Sequence, residues 1–260
     1  MDTVLITGTT SGIGKAFAEK FAKAGNNIIL VSRNESKLQQ QQVDLQSRYH
    51  VSVKYISCNL AEDNAPNMIM EKIGNMGLSV DILINNAGFN EAGYFIDTSL
   101  EKELDMIQVH IKILTALTKR ILPGMIERRY GRILNVGSTG SYMPCPCDAV
   151  YAATKSYVLS FSNGLYQELK GTGVTVTCLC PGATNTLFAT ITKAPKVQEI
   201  AVLFSGSYLS YNGRETGLTV PCLSFHARPC KLSAGPLIAA FDLRRLKHRS
   251  ASVYSCNKAS

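Results

Sequence analysis

Tyr151 and Lys155 stand four residues apart in the run Tyr-Ala-Ala-Thr-Lys. On a helix that spacing puts both side chains on one face, where an ammonium favours the phenolate and draws a phenol pKa from about 10 toward neutrality. Such a pair is a general acid/base. Chance alone supplies roughly 0.7 such pairs in a chain with this Tyr and Lys content, so the setting decides rather than the spacing. The setting is a helical stretch after a turn that carries Ser138, at the end of an apolar strand pattern, where open α/β sheets bind ligands.

A second cluster is Thr7-Gly8-Thr9-Thr10-Ser11-Gly12-Ile13-Gly14, which follows an apolar strand and precedes a helix. Glycines there let the backbone turn tightly and approach a pyrophosphate, whose charge rests on free N–H groups at the helix N-terminus. The loop is read as a dinucleotide site. At the end of the second strand an NAD site calls for a carboxylate, and the sequence has Ser32-Arg33-Asn34 instead. Arg33 offers a guanidinium fork for a 2′-phosphate, which points to NADP(H).

The elements that must position these groups alternate. Val4–Ile6, Ile28–Ser32, Val53–Ser57, Asp81–Asn85, Arg132–Val136 and Val174–Leu179 read as strands buried on both faces. Helical patterns lie between them near Ile13–Ala24, Glu35–Arg48, Ala65–Met76, Leu100–Met125 and Tyr151–Lys170. The fourth keeps a 3-4 apolar spacing through Leu100, Leu104, Ile107, Ile111, Leu114 and Ile121. Alternating βα units with right-handed crossovers predict a doubly wound parallel α/β sheet of the Rossmann type. Residues 1–188 are assigned to one dinucleotide-binding and catalytic domain. Residues 189–260 form a basic C-terminal segment without clear period, a substrate cover or a partly disordered tail; Val197–Phe204 reads as helix or strand and Leu237–Leu246 as a short helix.

Composition narrows the classes. The chain has 260 residues, 45% hydrophobic and 18% charged, which excludes low-complexity and disordered classes. No apolar run of about 18 residues exists, so no membrane span is expected. The N-terminus lacks a basic region and a cleavage site, and a cytoplasmic location is expected, with the eight cysteines reduced. Cys145-Pro-Cys147 and Cys178-Leu-Cys180 have no His at ligand spacing, so no metal site is assigned, and Cys145 and Cys147 are placed at the substrate entrance. Of the net charge of +8, +7 falls in residues 187–260, with Arg244-Arg245-Leu246-Lys247-His248-Arg249 as its core. No aromatics interleave that run, so it reads as solvated surface rather than as a nucleic-acid interface.

Taken together, Thr7-Gly8-x-x-x-Gly12-Ile13-Gly14, Asn85-Asn86-Ala87-Gly88, Ser138 thirteen residues before Tyr151, Tyr151-x-x-x-Lys155, and Pro181-Gly182 followed by Thr186 resemble the short-chain dehydrogenase/reductase family in order and spacing. The run Asn135-Val136-Gly137-Ser138 and the stretch from Tyr151 to Leu169 are most similar to reductases of ketones, 3-oxoacyl groups and steroids. The resemblance implies NADP(H)-dependent interconversion of a carbonyl and a secondary alcohol, with chemistry on CH–OH groups. Ser138 would hold the carbonyl oxygen, Tyr151 would give it a proton, and Lys155 would serve both Tyr151 and the nicotinamide ribose. It further implies that Gly8, Thr10, Ser11, Gly12, Ile13, Gly14, Asn59, Leu60, Asn86, Ala87, Gly88, Pro181, Gly182 and Thr186 line the cofactor. A homodimer or homotetramer interface on the Leu100–Met125 helix also follows from the resemblance, and core packing explains the same stripe equally well.

Two positions depart from the family pattern. His110 stands where the family has an asparagine that props a water below the lysine, and Asn59 stands where it has an aspartate near the adenine. His110 lies off the predicted apolar stripe, is counted among the catalytic residues, and is expected to be neutral. From His110 and the irregular C-terminus comes a second reading, an NADP(H)-binding protein with impaired catalysis.

Overall fold

Val4, Leu5 and Ile6 have no accessible surface, because the strand they form is covered by helices on both faces. That strand, β1 (Thr3–Thr7), begins a computed structural model that describes residues 1–182 and 202–204. It is followed by α1 (Gly12–Lys23), β2 (Asn27–Ser32), α2 (Glu35–Tyr49), β3 (Val53–Ser57), α3 (Ala65–Asn75) and β4 (Ile82–Asn85). Then come α4 (Leu100–Ile107), a π-helical turn (Gln108–Ile113), α5 (Leu114–Glu127), β5 (Gly131–Val136), a 3₁₀ turn (Thr139–Ser141), α6 (Ala149–Glu168), β6 (Val174–Cys180) and β7 (Val202–Phe204). Local chemistry marks several boundaries. Asn34 caps α2 by accepting the Lys37 N–H at 2.9 Å, and His50 ends it in the left-handed region at φ 55°.

The sheet order is β3-β2-β1-β4-β5-β6-β7, with six parallel strands and β7 antiparallel against β6. The doubly wound architecture expected from the strand pattern is therefore present. Val202–Phe204, ambiguous in sequence, is a strand and adds a seventh to the six predicted. Alternate residues along each strand enter different cores. Leu5, Ile29, Leu83 and Ile133 join residues of α3, α5 and α6, whereas Val4, Ile6, Ile28 and Leu30 join Phe17, Phe21 and Leu38 of α1 and α2. The order reverses between β1 and β4, whose residues Ile6 and Ile84 are in register. A crevice at the carboxyl ends of the strands opens there.

The predicted single helix over Leu100–Met125 is corrected. A π turn interrupts it at Gln108–Ile113, and the buried face runs through positions other than the predicted stripe. Glu103 and Met106 are buried before the turn; Val109, His110, Ile113, Leu114, Leu117, Ile121 and Met125 are buried within or after it. The first half of the expected stripe instead faces outward, with Leu100 69%, Leu104 54% and Ile107 38% exposed. His110, expected off the stripe, belongs to the true buried face.

Among the described residues no helix is long and apolar enough to cross a membrane. The remaining assignments on the C-terminal segment, including the Leu237–Leu246 helix, the 244–249 basic run and the substrate cover, lie outside the described residues.

Candidate active site

The glycine loop leaves β1 with Gly8 at φ +72° and enters α1 through Gly12 at φ +54°, conformations that disfavour any side chain. A Cβ on Gly14 would stand 2.1 Å from the Gly8 carbonyl oxygen, so the loop folds flat on the first turn of α1. Ser11 is the N-cap residue but makes no side-chain cap, and the first turn carries no acidic residue. Its amides are left for an anion. The Asn86 amide donates to the carbonyls of Thr7 (2.9 Å) and Gly8 (3.0 Å). The Thr7 hydroxyl in turn accepts the N–H groups of Asn86 and Ala87, both at 3.0 Å. Thus the loops after β1 and β4 are laced together across the strand reversal. Thr9 is fully buried, and its hydroxyl finds no partner among the described residues. An orphaned donor in a cradle that side chains would fill fits a dinucleotide pyrophosphate.

At the adenosine end, Thr10 and Ser32 hydroxyls are 3.1 Å apart. Arg33 follows β2, exposed, with its guanidinium unpaired among the described residues. Asn59 caps the turn after β3 by accepting the Ala61 N–H at 3.2 Å, and Leu60 is buried in the core beneath it.

Ser138, Tyr151 and Lys155 come together at the end of β5. Ser138 Oγ accepts the Gly140 N–H at 3.1 Å and lies close enough to Tyr151 to favour its phenolate. The Ser141 hydroxyl accepts the Ser138 N–H at 3.2 Å and donates to the Lys155 carbonyl at 2.8 Å, which ties the serine turn to α6. Pro181 is adjacent, its carbonyl accepting the Thr139 N–H at 3.0 Å, and Gly182 ends the described segment. Thr186 lies outside the described residues.

The expected lowering of the Tyr151 pKa by Lys155 is not what the geometry gives. Burial pushes the phenol up to about 12, against a smaller lowering by Ser138. Lys155 Nζ sits 5.7 Å from the centroid of the Tyr151 ring and donates to the Val136 carbonyl at 2.9 Å. Burial also draws the lysine pKa down to about 8. A cavity of about 10 Å³ is lined by Lys155, Thr7, Asn85, Ala87 and His110, close to the volume that one water requires.

His110 is buried and also lines that cavity. Its Nε2 accepts the Phe89 N–H at 3.1 Å, and its Nδ1 is 2.8 Å from the Thr154 hydroxyl, which donates to the Tyr151 carbonyl at 2.7 Å. Burial, and secondarily the Lys155 charge, hold its pKa well below 6.5.

Cys145 borders the site as expected: a Cβ on Gly140 would meet Ser138 Oγ at 3.5 Å, Cys145 Sγ at 3.6 Å and the Tyr151 ring at 3.9 Å. The Cys147 carbonyl accepts the Gly93 N–H at 2.7 Å, and Asn90 donates to Asp148 at 2.7 Å, so the loops after β4 and β5 are clasped at the entrance. Sequence reasoning assigns no separate role to Thr7, Thr9, Ser141 or Thr154. Only Thr154 carries a local signal, a threonine three residues after Tyr151 and able to bond back to its carbonyl; the others depend on contacts between distant segments.

Known proteins share this fold. A family profile described as short chain dehydrogenase matches residues 2–196. The chain is 32% identical over 230 residues to a very-long-chain 3-oxoacyl-CoA reductase of Laccaria bicolor, a match covering 86% of this chain and 66% of the relative. It is 36% identical over 193 residues to the Homo sapiens protein of the same description, covering 73% of this chain and 61% of that one. The chain thus spans about two thirds or less of these relatives' own length. Among solved structures, a short-chain dehydrogenase from Sphingobium yanoikuyae in complex with NADPH matches with a TM-score of 0.71 at 31% identity, over 76% of this chain and 79% of that one. The chain belongs to the short-chain dehydrogenase family, a family of oxidoreductases.

Proposed function

We propose that this chain is an NADP(H)-dependent oxidoreductase that reduces the 3-oxo group of an acyl thioester to a secondary alcohol. The observation that carries the reading is the meeting of Ser138, just beyond β5, with Tyr151 on α6, where a Cβ on Gly140 would touch both the serine Oγ and the tyrosine ring. The 3-oxoacyl class is supported by the relatives from Laccaria bicolor and Homo sapiens, and NADP(H) by the exposed Arg33, unpaired among the described residues, and the NADPH-bound neighbour.

Each side chain has a task in this reading. The Gly8–Gly14 loop and the α1 amides hold the pyrophosphate, Arg33 the 2′-phosphate, and Lys155 the nicotinamide ribose. Bound NADPH supplies a hydride. Ser138 donates a hydrogen bond to the substrate carbonyl oxygen, and Tyr151 transfers its phenolic proton to the same oxygen as negative charge develops there. A phenol pushed up to about 12 is protonated at neutral pH, the form that reduction requires.

The test is steady-state oxidation of NADPH with a panel of ketones, aldehydes and 3-oxoacyl thioesters. Turnover is expected to be fastest with the thioesters. NADPH binding without turnover on any member would instead favour the reading as a cofactor-binding protein with impaired catalysis, to which the Lys155 bond to Val136 lends support. The outward Leu100, Leu104 and Ile107 face supports self-association as a homodimer or homotetramer.

A further inference from the structure

His110 replaces a smaller side chain in the family pattern, and both of its ring nitrogens are engaged in the buried interior. Nε2 meets the backbone N–H of Phe89, which can only donate, so Nε2 carries no proton. Thr154 directs its own hydroxyl hydrogen at the Tyr151 carbonyl, which can only accept. The Thr154 oxygen therefore receives a hydrogen bond from Nδ1, and the proton of the ring sits there. A second proton on Nε2 would face the Phe89 N–H and break the contact. These bonds admit one state, the neutral ring protonated at Nδ1, and they leave His110 without a free site from which to relay a proton to Lys155.

What the ring does instead follows from what it joins. Phe89 ends the Asn86–Phe89 segment that is laced to the glycine loop, and Thr154 and Tyr151 form the first turns of α6. The contact with the β4 loop is tight as well as polar: a Cβ on Gly88 would stand 2.6 Å from His110 Nε2. The ring edges also meet, with His110 and Tyr151 centroids 5.8 Å apart at 74°. We propose that His110 is a positioning residue whose ring width sets the separation between the cofactor-binding Asn86–Phe89 loop and the Tyr151 turn. This rests on the reading of Tyr151 as the proton donor; the loop half of it stands on NADPH binding alone.

Two conservative variants separate the two ends of the ring. The amide of Asn ends near the place of Nδ1, and that of Gln near the place of Nε2. His110→Gln keeps an acceptor for Phe89 and abandons Thr154, so NADPH affinity is expected to stay within about twofold while kcat falls about tenfold. His110→Asn keeps a donor for Thr154 and leaves the Phe89 N–H unpaired, so kcat is expected to hold while the Kd for NADPH rises about tenfold. Gly88→Ala should weaken NADPH binding in the parent protein and much less in the His110→Asn background, because the clash is relieved. Imidazole nitrogen NMR on the full chain should report a protonated Nδ1 and a bare Nε2 at neutral pH. Equal losses in both variants, additive effects of Gly88→Ala and His110→Asn, or a proton on Nε2 would overturn the proposal. Absence of turnover in the parent protein would count against the enzymatic reading alone, because the NADPH and NMR arms need no substrate.

Discussion

Asn85 and Asn135 face each other on neighbouring strands, with the Asn85 amide donating to the Asn135 Oδ1 at 2.8 Å in the buried floor of the site. Asn135 passes the connection to α6 by donating to Ser162 Oγ at 2.9 Å, and Asn85 also donates to Thr118 on α5 at 3.2 Å. Two strands and two helices are thereby locked together below Ser138 and Lys155. A buried hydrogen-bonded network of this kind specifies one arrangement of its elements.

Asn135→Leu removes both of its bonds and leaves the Asn85 amide one partner short. The loss expected is about 2–4 kcal/mol in unfolding free energy, measured by denaturant titration. A loss below about 1 kcal/mol would show that the network is not a structural tie.

Arg33 governs cofactor choice if its exposed guanidinium receives the 2′-phosphate. NADPH should then bind more tightly than NADH by about 1.5–3 kcal/mol, and Arg33→Ala should remove most of that difference. Fluorescence titration with both cofactors checks this, and equal affinities in the parent protein would exclude the role.

Much of this site is legible in the amino-acid order alone. The glycine loop and Ser138 announce themselves because each lies just beyond the end of a strand, and strands buried on both faces leave unbroken apolar runs; Tyr151 and Lys155 do so by standing four residues apart on one helix, α6. The helix phase is not legible. A π turn at Gln108–Ile113 adds no residue type of its own, and the 3-4 spacing of Leu100, Leu104 and Ile107 reads as core although it faces outward. Nor can spacing reveal that His110 meets the Phe89 N–H, a contact between two turns that involves backbone and carries no sequence mark. The direction of the Tyr151 shift is hidden for a related reason: a Lys at i+4 shares a face, but only the fold shows that its ammonium turns to Val136 while burial acts on the phenol.

Stability at acid pH should report His110. Its folded pKa lies well below the ordinary 6.5, so between those values the unfolded chain binds a proton that the folded chain refuses. Its contribution is therefore full above pH 6.5 and lost as the pH falls. Thermal unfolding of the parent and of His110→Gln, compared from about pH 7 to about pH 5, should show a steeper decline in the parent. Parallel curves would mean that the ring is solvated.

The outward face of α4 should matter to assembly. Leu104→Glu places a charge in the centre of an exposed apolar patch with Leu100 and Ile107, and a self-associating protein should shift toward monomer in sedimentation without loss of fold. An unchanged sedimentation profile would assign that face another role.

Tyr151→Phe removes the phenolic hydroxyl and little else. With NADPH and a 3-oxoacyl thioester, turnover should fall at least about a hundredfold, while the Kd for NADPH stays within about twofold of the parent. Turnover by the phenylalanine variant at the parent rate would contradict proton transfer from Tyr151.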